Sequence, residues 1–301
     1  MSKIIVLGSI NMDIVSQVAK HPKPGETVQG KDFEYIPGGK GSNQAIAAHR
    51  LGGDVHMIGK VGNDAFGKML LDFYEKEGLA TDYILKSSDA PTGVAFVAVD
   101  ASSENIIYVS SGANTALAPQ DVEAVHIGKS DIVSATLETP IAATKALFEK
   151  AKQIGATTVL NAAPAVEGAR DLFPLVDYAI FNETELSFFS DMPITTSDDA
   201  FAAMKKLNVG TLGTITTLGK EGVVALEKGQ EIKLNGYAVN AIDTTGAGDC
   251  FVGAFVTALK EHGDMGKAME FANAAAAVSV QRLGASASMP TRAEVETMLR
   301  G

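Results

Sequence analysis

Short apolar runs that end in polar residues, with helical segments between them, constrain this chain more than any other feature. "KIIVLGS" at 3–9, "VHMIGKVG" at 55–62, "DIVSA" at 131–135, "TTVLNAAP" at 157–164 and "YAIFNETE" at 178–185 read as strands. A strand with one wet face alternates apolar and polar residues; an unbroken apolar run suits a strand covered on both faces. Helices are expected at 41–52, 64–77, 140–153, 197–207 and 250–262. Within 64–77, Phe66, Leu70, Phe73 and Tyr74 recur at helical spacing, Asp64 stands as N-cap and Gly78 follows the last turn. This β-then-α order predicts a mainly parallel central sheet with helices on both faces, a three-layer α/β/α sandwich.

Two segments break the rhythm. Residues 13–36 carry no helical pattern, and "TGVAFVAVDASSENIIYVS" at 92–110 reads as two alternating strands around a polar turn. Together they predict a small antiparallel sheet projecting from the main body. No repeat, low-complexity tract or linker marks an independent second domain, so residues 1–301 are read as one catalytic-sized unit. With 46% hydrophobic and 20% charged residues, the chain can bury a sizeable core. A net charge of -11 argues against nucleic acid or an anionic membrane surface as partner. One cysteine, Cys250, excludes an intramolecular disulfide and fits a reducing compartment. The first apolar run is too short for a signal-peptide core or a membrane span, and the cytoplasm is expected.

Ligands of open α/β sheets sit beyond the C-terminal ends of the strands. Asn11, Asp13, Asn161, Asn182, Glu185 and Asp249 all fall near such ends in this reading. In "DTTGAGD" at 243–249, Gly246 and Gly248 permit backbone geometry that other residues resist, and the following helix offers free amides at its start. Gly246, Ala247 and Gly248 therefore make an anion hole suited to a phosphate or to charge developing on one. Asp249 is placed to accept a proton from an attacking hydroxyl, or else simply caps the helix. A second glycine-rich corner, "IPGGKGSNQA" at 36–45, fits neither the dinucleotide fingerprint nor the P-loop. It pairs close backbone approach with Lys40 and Asn43, the donors and acceptor that a polyhydroxylated ligand needs on losing its water. In "GSINMD" at 8–13, Asn11 and Asp13 stand on alternate positions and could grip adjacent hydroxyls; Glu138 in "TLETP" supplies another acceptor or a structural cap. The histidines show neither metal spacing nor a nucleophile partner, and Cys250 reads as a buried small residue.

These blocks resemble the ribokinase (PfkB) carbohydrate kinase family. "PGGKGSNQA" at 37–45 and "DTTGAGDCFVGA" at 243–254 are similar to its two signatures, and "GSINMD", "NAAP", "NETE", "TLGKEG" and "SVQRLGASASMP" follow in the family's order over nearly the whole length. The resemblance implies a ribokinase-like fold and ATP-dependent phosphorylation of D-ribose at O5, giving D-ribose 5-phosphate and ADP. It implies Asp249 as catalytic base, with the amides from Ala247 to Asp249 forming the anion hole. The sugar would be bound by Asn11, Asp13, Gly39, Lys40, Gly41, Asn43 and Glu138. ATP would meet Asn182, Thr217, Leu218, Gly219, Gly222, Gly248 and Asn273. Mg²⁺ would accompany ATP with Glu185 in its water shell, since hard Mg²⁺ retains part of its hydration. A K⁺ site would involve Asp243, Thr245, Ser279, Arg282, Gly284 and Ser288. Segments 13–36 and 92–110 would form a lid that excludes water and also meets the lid of a second copy in a homodimer.

Competing readings are a kinase of the same family acting on 2-deoxyribose, fructose or a nucleoside, and a non-catalytic sugar or nucleotide sensor. Asn11 with Asp13 favours adjacent secondary hydroxyls, and intact Asp249 and "GAG" speak against the sensor. A dehydrogenase is disfavoured because the first strand runs into "GSINMD" rather than a dinucleotide fingerprint.

Overall fold

The computed structural model describes residues 2–101 and 104–301. From the N-terminus, β1 (Ile4–Leu7) leads to β2 (Asn11–Val18) and β3 (Gly30–Gly38). The chain returns through α1 (Lys40–Arg50), β4 (Val55–Gly62), α2 (Ala65–Glu77) and β5 (Ala80–Ser87), then crosses to β6 (Gly93–Val99) and β7 (Asn105–Ser110). Next come β8 (Ile132–Ala135), α3 (Ile141–Ile154), β9 (Thr157–Asn161), β10 (Tyr178–Asn182), α4 (Glu183–Ser190), α5 (Ser197–Leu207) and β11 (Gly213–Thr217). The hairpin of β12 (Val223–Glu227) and β13 (Gln230–Leu234) precedes α6 (Ala247–His262), α7 (Met265–Ser279), α8 (Ala285–Ser288) and α9 (Arg292–Arg300).

The large sheet has the order β13-β12-β11-β10-β9-β8-β1-β4-β5. Its strands from β11 to β5 are parallel, and β12 and β13 add an antiparallel edge. Alternation along β1 shows why both faces need cover: Ile4 and Val6 enter one core with α1, α2, α6 and α7, while Ile5 and Leu7 enter the other with α3, α4 and α5. The three-layer α/β/α sandwich is thus present. Strand order grows one way from β1 through β4 and β5, then the other way from β8, so a crevice opens beyond the ends of β1 and β8. Close helix packing sits beside it. A Cβ on Gly41 would lie 2.5 Å from the Gly8 backbone, and one on Gly253 would lie 2.6 Å from the Gln44 carbonyl oxygen. Only glycine lets the start of α1 reach the end of β1 and lets α6 pack on α1.

The second sheet, β3-β2-β6-β7, collects the two segments that break the helical rhythm. Strands β2 and β6 run parallel, whereas β2–β3 and β6–β7 are antiparallel. Residues 102–103 of the polar turn expected in 92–110 lie outside the described residues. The strand expected at 178–185 ends at Asn182 instead, because Asn182 caps a helix that begins at Glu183. The short helix α4 and strands β5, β11, β12 and β13 go beyond the elements expected from sequence. Among the described residues no helix is long and apolar enough to cross a membrane.

Candidate active site

Asp249 stands in the first turn of α6, the element that begins after the left-handed Gly246 (φ 76°). It is 8% exposed. Asn43 Nδ2 donates to its Oδ2 at 2.9 Å, and Gln44 Nε2 donates to its Oδ1 at 3.1 Å. Burial pushes the Asp249 carboxyl up, while Lys40 and the two amides work against that rise. Burial would lower the Lys40 ammonium, yet Asp249, Glu138 and Glu185 outweigh it and hold the ammonium above its ordinary range. The centre is therefore a half-buried cation among several carboxylates.

A cleft of about 230 Å³ opens beside Asp249 and is lined by Lys40, Asn161, Ala163, Ile180, Phe181, Asn182, Glu185, Thr217, Thr244, Gly246, Gly248 and Asp249. One wall is the N-terminus of α6, whose leading amides lack helical acceptors and favour an anion. The β10–α4 junction lines the cleft too. There Glu185 N donates to Asn182 Oδ1 at 2.8 Å, and Asn182 N donates back to Glu185 Oε2 at 2.9 Å. Burial raises Glu185 to about 7, opposed by its bond from the Asn182 backbone and by Lys40.

Residues picked out for a polyhydroxylated ligand gather on the other side of Lys40. Ser9 Oγ donates to Glu138, whose Oε2 also accepts from Lys40 N at 3.2 Å. Asn11 begins β2 and is held by Asn114, whose Nδ2 donates to Asn11 Oδ1 at 2.8 Å. Asp13 follows on the same strand; burial, then Glu138 and Asp249, raise it to about 7. Gly39 precedes α1 at φ 90°, where a Cβ would lie 2.7 Å from the Ser9 carbonyl oxygen. Asn11, Asp13, Gly39, Gly41, Asn43 and Glu138 do not line the 230 Å³ cleft; they adjoin it through Lys40 and Asp249.

Of the residues expected near a nucleotide, Thr217 lines the cleft and Leu218–Gly222 forms a tight turn closed by Leu218 N to Gly222 O at 2.8 Å. Asn273 lies on α7, outside that lining, and donates to Asn235 O at 2.8 Å. The two loops expected around a monovalent cation do meet: Ile242 N donates to Val280 O at 2.7 Å and Gly284 N to Asp243 Oδ2 at 2.8 Å. Thr245 N donates to the other oxygen, Asp243 Oδ1, at 2.9 Å. Burial would raise Asp243, but these bonds hold it below the usual carboxylate range. Ser279 and Ser288 donate to backbone carbonyls of Ala276 and Ala285, and the Arg282 guanidinium turns to Glu294. Among the described residues no cluster of three His, Cys, Asp or Glu side chains is placed to hold a metal. Cys250 is buried and does not line the cleft, and burial pushes its thiol to about 12.

Gln44, Asn114 and Thr244 join the site without having been singled out from sequence, and Asn161 proves to belong to its polar network as well as to a strand end. Gln44 and Thr244 stand inside the two glycine-rich signatures, so adjacency there was a usable signal. Asn114 carries none: it reaches Asn11 across 103 positions of sequence.

The sequence pattern of the pfkB family carbohydrate kinases matches residues 1–292. The chain is 40% identical over 303 residues to the ribokinase of Staphylococcus aureus, covering 98% of each chain. It is 41% identical over 294 residues to the ribokinase of Haemophilus influenzae, covering 97% of this chain and 96% of that one. Among solved structures, that of Arabidopsis thaliana ribokinase complexed with ribose and ATP superposes with a TM-score of 0.91 at 30% identity, covering all of both chains. With the sheet order, the paired glycine-rich corners and these full-length likenesses in agreement, the chain belongs to the pfkB family of carbohydrate kinases.

Proposed function

We propose that this enzyme transfers the terminal phosphoryl group of ATP to the 5-hydroxyl of D-ribose, giving D-ribose 5-phosphate and ADP. The observation that carries the reading is Asp249, a buried carboxylate gripped by two amides between a polyol-suited cluster and an anion-suited helix start. Full-length similarity to proteins named ribokinase supports ribose as the acceptor.

Asn11, Asp13, Lys40, Asn43 and Glu138 bind and orient the sugar's hydroxyls. The 5-hydroxyl gives its proton to Asp249 as its oxygen bonds to the terminal phosphorus, and the bond from that phosphorus to the bridging oxygen of ADP breaks in line. Amides at the start of α6, from Ala247 to Asp249, receive charge on the transferring group. Thr217 to Gly222 and Asn273 hold the nucleotide. Mg²⁺ with ATP neutralises phosphate charge; the donor set fits it through water, because both Glu185 oxygens already accept bonds from Asn182. The Asp243–Thr245 and Ser279–Ser288 loops fit a K⁺ ion, offering an ionised carboxylate and backbone oxygens that would order the glycine-rich loop. The β3-β2-β6-β7 sheet acts as a lid over the sugar and as the meeting surface of a homodimer.

A coupled ADP-release assay with Mg-ATP tests the reading on D-ribose, 2-deoxy-D-ribose, D-fructose and adenosine, each with potassium or sodium. Ribose should give the highest kcat/KM, with potassium raising the rate. A higher kcat/KM for another acceptor overturns the sugar assignment, and equal rates in the two salts overturn the potassium role.

A further inference from the structure

Gln44 occupies a place that packing alone does not account for. It lies on α1 and is 1% exposed, with its amide directed at the start of α6. Nε2 spends both hydrogens on acceptors: Asp249 Oδ1 at 3.1 Å and Asn161 Oδ1 at 3.1 Å. An ionised carboxylate can only accept, so the amide is fixed in this orientation and Asn161 must present its oxygen. The other Asp249 oxygen is held by Asn43. Gln44 Oε1 is buried without a partner, so a polar side chain is retained here at a desolvation cost. A leucine or methionine would fill the same space without that cost.

We propose that Gln44 is a positioning residue for phosphoryl transfer: its amide locks the rotation of the Asp249 carboxylate and ties the base to Asn161 on the cleft wall. The inference rests on the reading of Asp249 as the base. With Oδ1 and Oδ2 each held by one amide, the plane of the carboxylate is set and its remaining lone pairs point in fixed directions. A proton acceptor must meet the attacking hydroxyl within hydrogen-bond reach, so a freely turning carboxylate wastes encounters. Gly253 makes the arrangement possible, because any larger residue there would push α1 away from α6. The amide also favours the ionised form of Asp249. Around that carboxylate stand Lys40 on α1, Glu138 after β8, Asp13 on β2, Glu185 on α4 and the Cys250 thiol on α6 itself, and none of these is altered by changing Gln44.

Gln44→Met keeps the shape and removes the donor. In that variant kcat for ribose should fall about tenfold to a hundredfold. The ribose Kd, measured by calorimetry without nucleotide, should stay within about threefold. Losing a donor to the charged form raises the pKa of a carboxylate, so the acid limb of kcat/KM should move to higher pH by about one unit. Gln44→Glu places a second carboxyl against Asp249 and should move the same limb further. It is nearly isosteric, so it decides the matter where Gln44→Met fails to fold. An unmoved acid limb with kcat near that of the parent enzyme, beside an inactive Asp249→Asn, overturns the role of Gln44 alone. Full turnover in Asp249→Asn overturns the base assignment, and this proposal with it.

Discussion

A carboxylate at the first turn of a helix is favoured by the amides and dipole there, and one taken out of water is disfavoured. Asp249 experiences both: burial dominates and raises its carboxyl, while its amide partners and Lys40 oppose that rise and so favour the charged form that a base requires. Asp249→Asn preserves size but cannot accept the proton, and its NH2 group would face one of the two amides that donate to the carboxylate. Turnover should fall by about 10²- to 10⁴-fold in an ADP-release assay, with ribose affinity changed only a few-fold. Equal losses in affinity and turnover would make Asp249 a sugar ligand instead. Asp13 carries a different consequence. Its folded pKa is about 7 against an ordinary 3.8, so the folded chain holds a proton that the unfolded chain has released over that interval. A raised folded pKa contributes stability that is full below the unfolded value and is lost as pH rises through the folded one. The ligand-free enzyme should therefore melt at progressively lower temperature between about pH 4 and about pH 7. Asp13→Asn should flatten part of that slope, with Glu185, also near 7, supplying another part. Parallel melting curves for the two proteins across this range would show that Asp13 does not titrate there.

The elements that carry these residues differ in how plainly the sequence announces them. Asp64 and Gly78 bound α2 as cap and stop, and both signals are local. The β10–α4 junction had a local signal too, since Asn182 and Glu185 form a capping box, but the apolar run before it drew the strand reading three residues too far. The β12–β13 hairpin turns through Lys228 and Gly229, both at positive φ, in a stretch too polar for its alternation to stand out. At α6 the two glycines have separate jobs that a substitution can tell apart. Gly246 sits at φ 76°, and a Cβ there would lie 3.1 Å from Ala285. Gly246→Ala should cost about 1–2 kcal/mol of stability, read from denaturant unfolding. A Cβ on Gly248 meets nothing within 4 Å, yet the residue lines the cleft. Gly248→Ala should leave the melting temperature unchanged or slightly raised, because alanine suits a helix better. Its methyl group would stand where the phosphate must approach, and kcat should fall at least about tenfold. Normal turnover in Gly248→Ala would remove the helix start from the phosphate path.

At the scale of the whole molecule, the plan of a covered parallel sheet with a smaller sheet beside it was legible from runs such as 3–9 and from the helix-free segments 13–36 and 92–110. Strand partners were not, because pairing joins residues about eighty positions apart and hydrophobic pattern alone does not fix who sits next to whom. Only the register shows that Tyr35, Ile14, Phe96 and Tyr108 form one row across all four strands of the small sheet. Successive side chains of a strand point to opposite faces, so this row lies on the face away from Asp13. Tyr35, Phe96 and Tyr108 are 44%, 50% and 70% exposed. An exposed apolar row of that kind calls for a partner surface, and the self-complementary choice is the same sheet of a second copy. Since β2 carries Asn11 and Asp13, pairing two such sheets would also stiffen the element proposed to grip the sugar. Light scattering should give twice the chain mass of 31.3 kDa for the parent enzyme and a single chain for Tyr108→Asp. The variant should also show a ribose KM raised about tenfold with a smaller change in kcat, because loosening the lid weakens sugar capture before it touches Asp249. A parent enzyme that stays a single chain at micromolar concentration, or a Tyr108→Asp variant that still doubles, would assign the row to the lid's own closure and leave the sugar site complete within one copy.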